Sequence, residues 1–502
     1  MMNPKMSVKI IPEGVIYNNE EESRLTVLLL VPFYSFFEKY ETRRAGCPLG
    51  LELIAVELVA KGFNVIFIDA CMAAYNQFTP QDDGSIRYGL TDQQLRKLLS
   101  QFNPDIVGIT SLFSNQANNV ARVAALTKEA YPKAIITEGG SNATGDIERV
   151  LEDPNVDMVI RKEGVVSFPE LCYSLESNQS SRNFTPVLGV SYKDSIGKPV
   201  DNPGRGLLPD LDLLAPRRLE IPLHPMYDTP EHTGGSRHQK EGRLAYIMSS
   251  QGCPLKCDFC HIHIMAGNIR YYSLARFEQE VVLLKAAGVT ELVVEDDMFF
   301  ADMQRAMAIC DILKKHSMSW FEEGGLSMFK FMKPGHNLTY KQVLNKLAES
   351  GCYRFYLAIE SANPQSLIES HKPHINTRVE PAEEIVRYAT NSGIEVVGGF
   401  MVGFQNESLQ DMERTVEYAI KLKQVGLAYA MIFIVTAIPG TMAYNKFQSL
   451  FPDLDLRTSH ERAAFPVGGL TPEELTKLRF QWMQEVNGDC MMVAKETKNW
   501  GL

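Results

Sequence analysis

The sequence predicts two successive α/β units: a doubly wound, mostly parallel sheet over residues 1–200, then a partial six-unit βα barrel over 242–456. A small helical segment over 457–502 follows. Three observations carry this reading. Short, nearly continuous apolar runs alternate with amphipathic helical stretches, as in parallel sheets covered on both faces. The alternation breaks over 201–241, a stretch rich in Pro, Gly, Asp and Arg, with Pro203-Gly204, Pro209-Asp210 and Gly234-Gly235, which reads as an extended joint. Polar and glycine-rich residues gather after the apolar runs, at the carboxyl ends where such sheets carry their chemistry.

In the first unit, Leu25–Val31 ends in Pro32 and reads as a buried strand, and Leu51, Leu53, Ile54, Val56, Leu58 and Val59 recur at helical spacing before Gly62. Phe63–Ile68, Asp105–Thr110, Ala134–Thr137 and Asp157–Ile160 are further strands, with a helix over Asn118–Ala130. The strand ends carry Ser111-Leu112-Phe113-Ser114 and Glu138-Gly139-Gly140-Ser141-Asn142, where paired glycines let backbone approach a ligand closely.

In the second unit the strands are Leu244–Met248, Glu291–Glu295, Met318–Phe321, Arg354–Ile359, Ile394–Val397 and Ala428–Val435. Six βα repeats are too few to close an eight-stranded barrel. Ser273 is a plausible N-cap for the helix to Ala287, with Gly288 as its stop. The strand ends carry Asp296-Asp297-Met298-Phe299, Glu322-Glu323-Gly324-Gly325, Glu360-Ser361 and Gly398-Gly399.

Hydrophobic content of 45% and charged content of 22% are those of a globular protein. A net charge of −11 argues against binding nucleic acid through bulk electrostatics. Nine cysteines without pairing rhythm, and no secretory h-region after Met1, point to a reducing cytoplasm. No apolar run reaches the ~20 residues of a membrane-spanning helix.

The most informative stretch is Gln251-Gly252-Cys253-Pro254-Leu255-Lys256-Cys257-Asp258-Phe259-Cys260, three cysteines at C-x3-C-x2-C. Soft thiolates select iron–sulfur clusters, zinc or cuprous copper. Three cysteines would leave one iron of a four-iron cubane open, as reactive metal sites require. The plainer alternative is a structural zinc clip completed by His261 or His263.

The motif, Phe259 included, resembles the signature of radical S-adenosylmethionine (radical SAM) enzymes. Gly46-Cys47-Pro48-Leu49-Gly50, Ser111-Leu112, Gly139-Gly140 and Val159-Ile160-Arg161-Lys162-Glu163-Gly164 resemble the flavodoxin-like cobalamin-binding domain that precedes many such cores. Arg270-Tyr271-Tyr272-Ser273 and Pro439-Gly440-Thr441 extend the likeness over most of the chain. Two runs depart from the usual pattern: Arg161-Lys162-Glu163-Gly164-Val165 stands for R-G-E-G-E, and Gly403-Phe404-Gln405-Asn406-Glu407-Ser408 for G-x-P-G-E-T. Gly324 and Ser327 flank the third strand loop, where a polar residue and Arg are usual. No histidine precedes His224, so the D-x-H-x-x-G cobalt ligand is absent.

The resemblance implies a [4Fe-4S] cluster on Cys253, Cys257 and Cys260, with SAM against Phe259, Asp296 or Asp297, Glu360, Ser361, Gly398 and Gly399. It implies cobalamin against Ser111, Leu112, Gly139, Gly140 and Ser141, with the joint, Tyr227 included, draped between the units. It further implies an electron donor such as flavodoxin or ferredoxin, and a small-molecule or natural-product substrate. The expected activity is cobalamin-dependent radical SAM methyl transfer, with cyclisation, ring contraction or oxidative rearrangement as the alternative. A cofactor-sensing protein would carry a DNA-binding or signalling module, and none is visible.

Overall fold

The computed structural model describes residues 6–20, 24–39, 41, 43, 46–177, 187–194, 196–217, 220–227, 243–326, 338–372 and 380–488. Gly234-Gly235, Ser327, Cys490 and the end of the C-terminal segment lie outside the described residues. The chain divides into two units, the first formed mainly by residues up to 237 and the second from 238 onward.

Unit 1 opens with a hairpin, β1 (Met6–Ile11) and β2 (Gly14–Asn19), before β3 (Thr26–Val31). Next come β4 (Tyr34–Phe36), α1 (Leu49–Ala60), β5 (Asn64–Asp69), β6 (Phe78–Pro80), β7 (Ile86–Tyr88) and α2 (Asp92–Leu99). Then β8 (Ile106–Thr110), α3 (Ala117–Ala130), β9 (Ile135–Gly139), α4 (Ser141–Gly145), α5 (Ile147–Glu152) and β10 (Met158–Ile160) continue the alternation. The helix α6 (Gly164–Ser177) and the strands β11 (Val190–Lys193) and β12 (Pro199–Asp201) finish it.

The nine strands lie in the order β1-β2-β5-β3-β8-β9-β10-β11-β12. The central five are parallel, in the flavodoxin order whose crossover direction reverses between β3 and β8. The edges are antiparallel. Val27 to Val31 are all buried, as a strand covered on both faces requires. A small antiparallel ribbon, β4-β7-β6, starts directly after β3.

Much of the stretch expected to be an extended joint, Leu213 onward, is counted with unit 1. Arg217 makes a two-pronged ion pair with the buried Glu52 of α1, at 2.6 and 2.8 Å. His224 Nε2 donates to the Ile11 carbonyl at 2.8 Å, and the Tyr227 hydroxyl donates to Asp69 at 2.8 Å. Leu214, Ile221 and Tyr227 are buried. Composition marks this segment as irregular, and it is; what composition misses is that its apolar residues anchor it to a core. Tyr227 therefore belongs to the packing of unit 1.

Unit 2 begins with β13 (Arg243–Ile247), β14 (Ser250–Gln251), α7 (Ile262–Met265), β15 (Arg270–Tyr271), α8 (Leu274–Ala286) and β16 (Val289–Val294). It continues with α9 (Met303–Lys315), β17 (Ser319–Leu326), α10 (Tyr340–Glu349), β18 (Cys352–Glu360), α11 (Pro364–Glu369) and α12 (Glu380–Asn391). The last elements are β19 (Glu395–Val402), α13 (Leu409–Val425), β20 (Tyr429–Ile434), α14 (Met442–Leu450) and α15 (Pro472–Asn487). The strands β13-β16-β17-β18-β19-β20 form one six-stranded parallel sheet in sequence order, a partial βα barrel. Ser273 caps α8 by accepting from Arg276 N at 3.0 Å, and Gly288 sits at φ +87°.

The C-terminal helix is part of this unit rather than an appendage. Asn487 pairs its side-chain amide with both backbone groups of Ala430 at 2.9 Å, and Arg479 Nε donates to Ile432 O at 2.7 Å. Side chains of α15 thus occupy the open hydrogen-bonding edge of β20, an edge that an unclosed barrel would otherwise expose.

Candidate functional site

The three cysteines occupy the loop between β14 and α7. Gly252 enters it at φ +92°, and a Cβ there would lie 2.6 Å from Asn268 O. Cys253 N donates to Gly267 O at 3.0 Å and Cys260 N to Cys257 O at 3.1 Å. Burial lifts the Cys257 thiol to about 12 and the Cys260 thiol to about 11. A bound cation that takes thiolates would displace those protons. Among the described residues, no three or more His, Cys, Asp or Glu side chains are gathered closely enough to hold a single metal ion. Burial also drives His261 down to about 4, and neither of its ring nitrogens has a partner within hydrogen-bond geometry, although the Pro439 carbonyl lies near enough to oppose the shift.

The acidic pair after β16 holds this loop. Asp296 Oδ1 accepts from the backbone N–H groups of Ser249 and Ser250 at 2.6 and 3.1 Å. Its Oδ2 accepts from both serine hydroxyls at 2.6 Å. A carboxylate has about four acceptor positions, so Asp296 is saturated. Asp297 Oδ2 accepts from Gly252 N at 2.7 Å, which leaves its other oxygen open to a further donor. Of the two, Asp297 alone keeps the acceptor capacity that the sequence assigned to the pair.

Carboxyls crowd the neighbouring strand ends. Glu295 is lifted to about 8 by burial and then by Glu323, to which it is hydrogen-bonded. Glu322 is 1% exposed with neither carboxyl oxygen in hydrogen-bond geometry, and burial, then Asp296, push its pKa well up against the opposing backbone of Gly325 and Tyr356.

At the end of β18, Glu360 adopts φ +67° and accepts from Lys372 Nζ at 2.6 Å. Ser361 Oγ bonds Glu407 at 3.3 Å and Thr415 at 3.2 Å, and accepts from Asn363 N at 3.0 Å. Glu407 also accepts from Gly403 N, Phe404 N and Ser366 Oγ at 2.9, 3.1 and 2.8 Å, and burial lifts it to about 7. The space beside the two glycines of β19 is filled by protein. A Cβ on Gly398 would meet Phe400 and Leu427, and one on Gly399 would lie 1.6 Å from the Tyr356 hydroxyl. These glycines admit neighbouring side chains, which corrects the expectation of bare backbone facing a ligand.

Phe259 does line a shallow depression of about 40 Å³, open to solvent, with Phe404, Gln405, Val435 and Phe447. The Phe259 and Phe404 rings meet edge to face at 6.0 Å. Gln405 Oε1 is buried without a partner, and a purine's amino edge offers a donor to such an amide. The donor chemistry of this barrel mouth fits a cluster and an adenosyl group. Lys372 and Tyr356 escaped the sequence reading, because no spacing rule marks a residue that reaches the site only through the fold, and Glu407 was noted only as part of the Gly403–Ser408 run.

In unit 1, the loop after β8 lies beside the strand-order reversal. Ser111 is buried: its hydroxyl accepts from Asn142 Nδ2 at 3.0 Å and its carbonyl from Asn142 N at 3.0 Å. A Cβ on Gly140, at φ +114°, would lie 2.8 Å from Ser111 O, while one on Gly139 would touch Ile160. Ser111, Gly139 and Gly140 therefore shape the loop. The groups this loop exposes are Leu112 and Phe113, at 38% and 39%, next to the half-buried Ser141. An apolar pair at a switch point fits the face of a flat macrocycle. His224, the histidine among the described residues of unit 1, spends Nε2 on Ile11 O and Nδ1 on Met226 N. The site offers no histidine to cobalt among those residues.

A parallel βα barrel with a thiol loop at its mouth, preceded by a doubly wound sheet with an apolar switch point, defines an enzyme core joined to a second cofactor unit. Residues 43–172 match the B12 binding domain and 247–419 the Radical SAM superfamily. The chain is similar to the cytidylyl-2-hydroxyethylphosphonate methyltransferase of Streptomyces wedmorensis, 27% identical over 94% of this chain and 92% of that one. It is also similar to the anaerobic magnesium-protoporphyrin IX monomethyl ester cyclase of Rubrivivax gelatinosus, 22% identical over 74% and 61%. Among solved structures it shares its fold with the radical SAM methyltransferase TsrM of Kitasatospora setae, with a TM-score of 0.65 and 14% identity over 93% and 86% of the two chains. The chain thus carries a Radical SAM domain, which implies SAM and a [4Fe-4S] cluster, and a B12 binding domain, which implies cobalamin. No helix among the described residues is long and apolar enough to cross a membrane.

Proposed function

We propose that the chain is a methyltransferase acting at an unactivated position of a small-molecule or natural-product substrate. The observation that carries this reading is the near full-length similarity to a methyltransferase, whereas the similarity to the cyclase spans less of either chain. When bound, the cluster and SAM supply a radical that removes a hydrogen atom, and cobalamin supplies the methyl group.

The chain's own residues divide the remaining work. Cys253, Cys257 and Cys260 hold the cluster. Asp296 fixes the loop through Ser249 and Ser250, while Asp297 offers its free oxygen to the SAM ammonium, a charge-assisted bond. Phe259, Phe404 and Gln405 receive the adenine, and Ser361 and Glu407 tie the β18 and β19 ends that frame it. Leu112 and Phe113 cover a corrin face with apolar surface, and Ser111, Gly140 and Asn142 keep that loop in place. Electrons come from a one-electron donor of flavodoxin or ferredoxin type.

The test is a product balance under turnover. A methyltransferase consumes SAM twice, giving S-adenosylhomocysteine and 5′-deoxyadenosine together, and carries label from methyl-deuterated SAM into product. An unlabelled product formed with 5′-deoxyadenosine alone would assign the chain to cyclisation or rearrangement.

A further inference from the structure

The turn after α11 is hooked onto the cysteine loop between two of its cysteines. Asp258 N donates to Ser370 O at 3.0 Å, and His371 Nδ1 meets Asp258 Oδ1 at 2.6 Å. This brings Lys372 into the buried mouth of the barrel, where its ammonium is 2.6 Å from Glu360 Oε1 and both side chains are about nine-tenths covered. Backbone strain accompanies the arrangement: Glu360 and His371 both hold positive φ, at 67° and 53°, a conformation costly for side chains of this kind. Such strain persists where surrounding structure demands it. A buried ion pair is no efficient source of stability, so its place beside the cysteines asks for another explanation.

We propose that Lys372, steered by Glu360, is the positioning residue that sets how readily the iron–sulfur cluster accepts an electron. The proposal rests on the cluster reading. Reduction adds one electron, taken from an external one-electron donor, and hence one negative charge to a site already surrounded by thiolates. A fixed ammonium on the turn hooked to the cysteine loop stabilises the reduced form, and net charge and burial are among the factors that set cluster potentials. Glu360 opposes that effect while keeping the ammonium in place. The same geometry shows in the Lys372 pKa: burial lowers it, but Glu360, Cys257 and Cys260 outweigh burial and leave it raised.

The two members of the pair must therefore act with opposite sign. In anaerobically reconstituted full-length protein, dithionite titration followed by electron paramagnetic resonance reads the midpoint potential, and iron and sulfide analysis reads occupancy. Lys372→Met should make the cluster harder to reduce, and Lys372→Arg should return it toward wild type. Glu360→Gln should make it easier to reduce, and the Lys372→Met/Glu360→Gln pair should fall between. A wild-type midpoint in Lys372→Met, or shifts of the same sign in the two single variants, would overturn the proposal. Should Lys372→Met lose its iron, Glu360→Gln decides alone, an unchanged or more negative midpoint being fatal. Absence of four irons from the wild-type protein would instead refute the cluster reading.

Discussion

Replacing Asp296 separates two roles that sequence alone cannot distinguish. If its carboxylate is a ligand contact, losing it should weaken SAM binding and leave the protein otherwise intact. The structure instead spends all its acceptor positions on Ser249 and Ser250, both buried. In Asp296→Ala the two serine hydroxyls can turn to other acceptors, but the two backbone N–H groups are fixed and stay orphaned. A buried unsatisfied donor costs ~1–3 kcal/mol, so the pair costs ~2–6 kcal/mol. Relief of the buried carboxylate, whose pKa burial raises, brings the expected net loss to the lower half of that range. Asp296→Asn, which keeps one carbonyl oxygen, should lose about half as much. Urea unfolding of the metal-free protein reads the loss, and iron retention reads its consequence at the adjacent Cys253 loop. Wild-type unfolding and iron content in Asp296→Ala, with only SAM affinity reduced, would refute the structural assignment.

Other outcomes follow from the same reasoning. Glu138 holds its proton up to about pH 8 because burial lifts it from 4.5, so the folded state binds more protons than the unfolded between those values. Its contribution to stability therefore falls as pH rises from 4.5 to 8, by about 1.4 kcal/mol for each pH unit crossed, and Glu138→Gln should flatten that decline in denaturation curves. Arg217→Ala strands the buried Glu52 and should cost ~3–5 kcal/mol in the unfolding of unit 1, while a Glu52→Leu/Arg217→Met pair should recover much of it. Gly399→Ala should destabilise unit 2 by ~1–3 kcal/mol through collision with the Tyr356 ring, and adding Tyr356→Ala should relieve the collision. Leu112→Asp should reduce hydroxocobalamin retention on a gel-filtration column without changing iron content, since Leu112 belongs to unit 1.

Strand and helix order was legible because buried parallel strands leave near-continuous apolar runs, and the strands of both units fall where those runs lie. The edge pieces were not. The β1–β2 hairpin and the β4-β7-β6 ribbon are short and half-covered, so they lack a strong period. The joint misled for a related reason: Pro and Gly report irregular backbone, whereas Arg217 and Tyr227 show that irregular backbone can still be buried. At the site, the cysteine spacing is local and readable. Asp296, Glu360 and Ser361 were rightly placed at strand ends, yet their partners Ser249, Lys372 and Thr415 come from other elements, and only the fold reveals that these polar groups are engaged.

The most direct test of the central claim is reductive SAM cleavage by the reconstituted full-length chain and its cysteine variants. Wild type should hold about four irons and four sulfides and release 5′-deoxyadenosine with dithionite. Cys253→Ala, Cys257→Ala and Cys260→Ala should each abolish both, while Cys352→Ala, in β18, should abolish neither. Stoichiometric zinc in place of iron, with no 5′-deoxyadenosine from wild type, would contradict the cluster and the radical chemistry built on it.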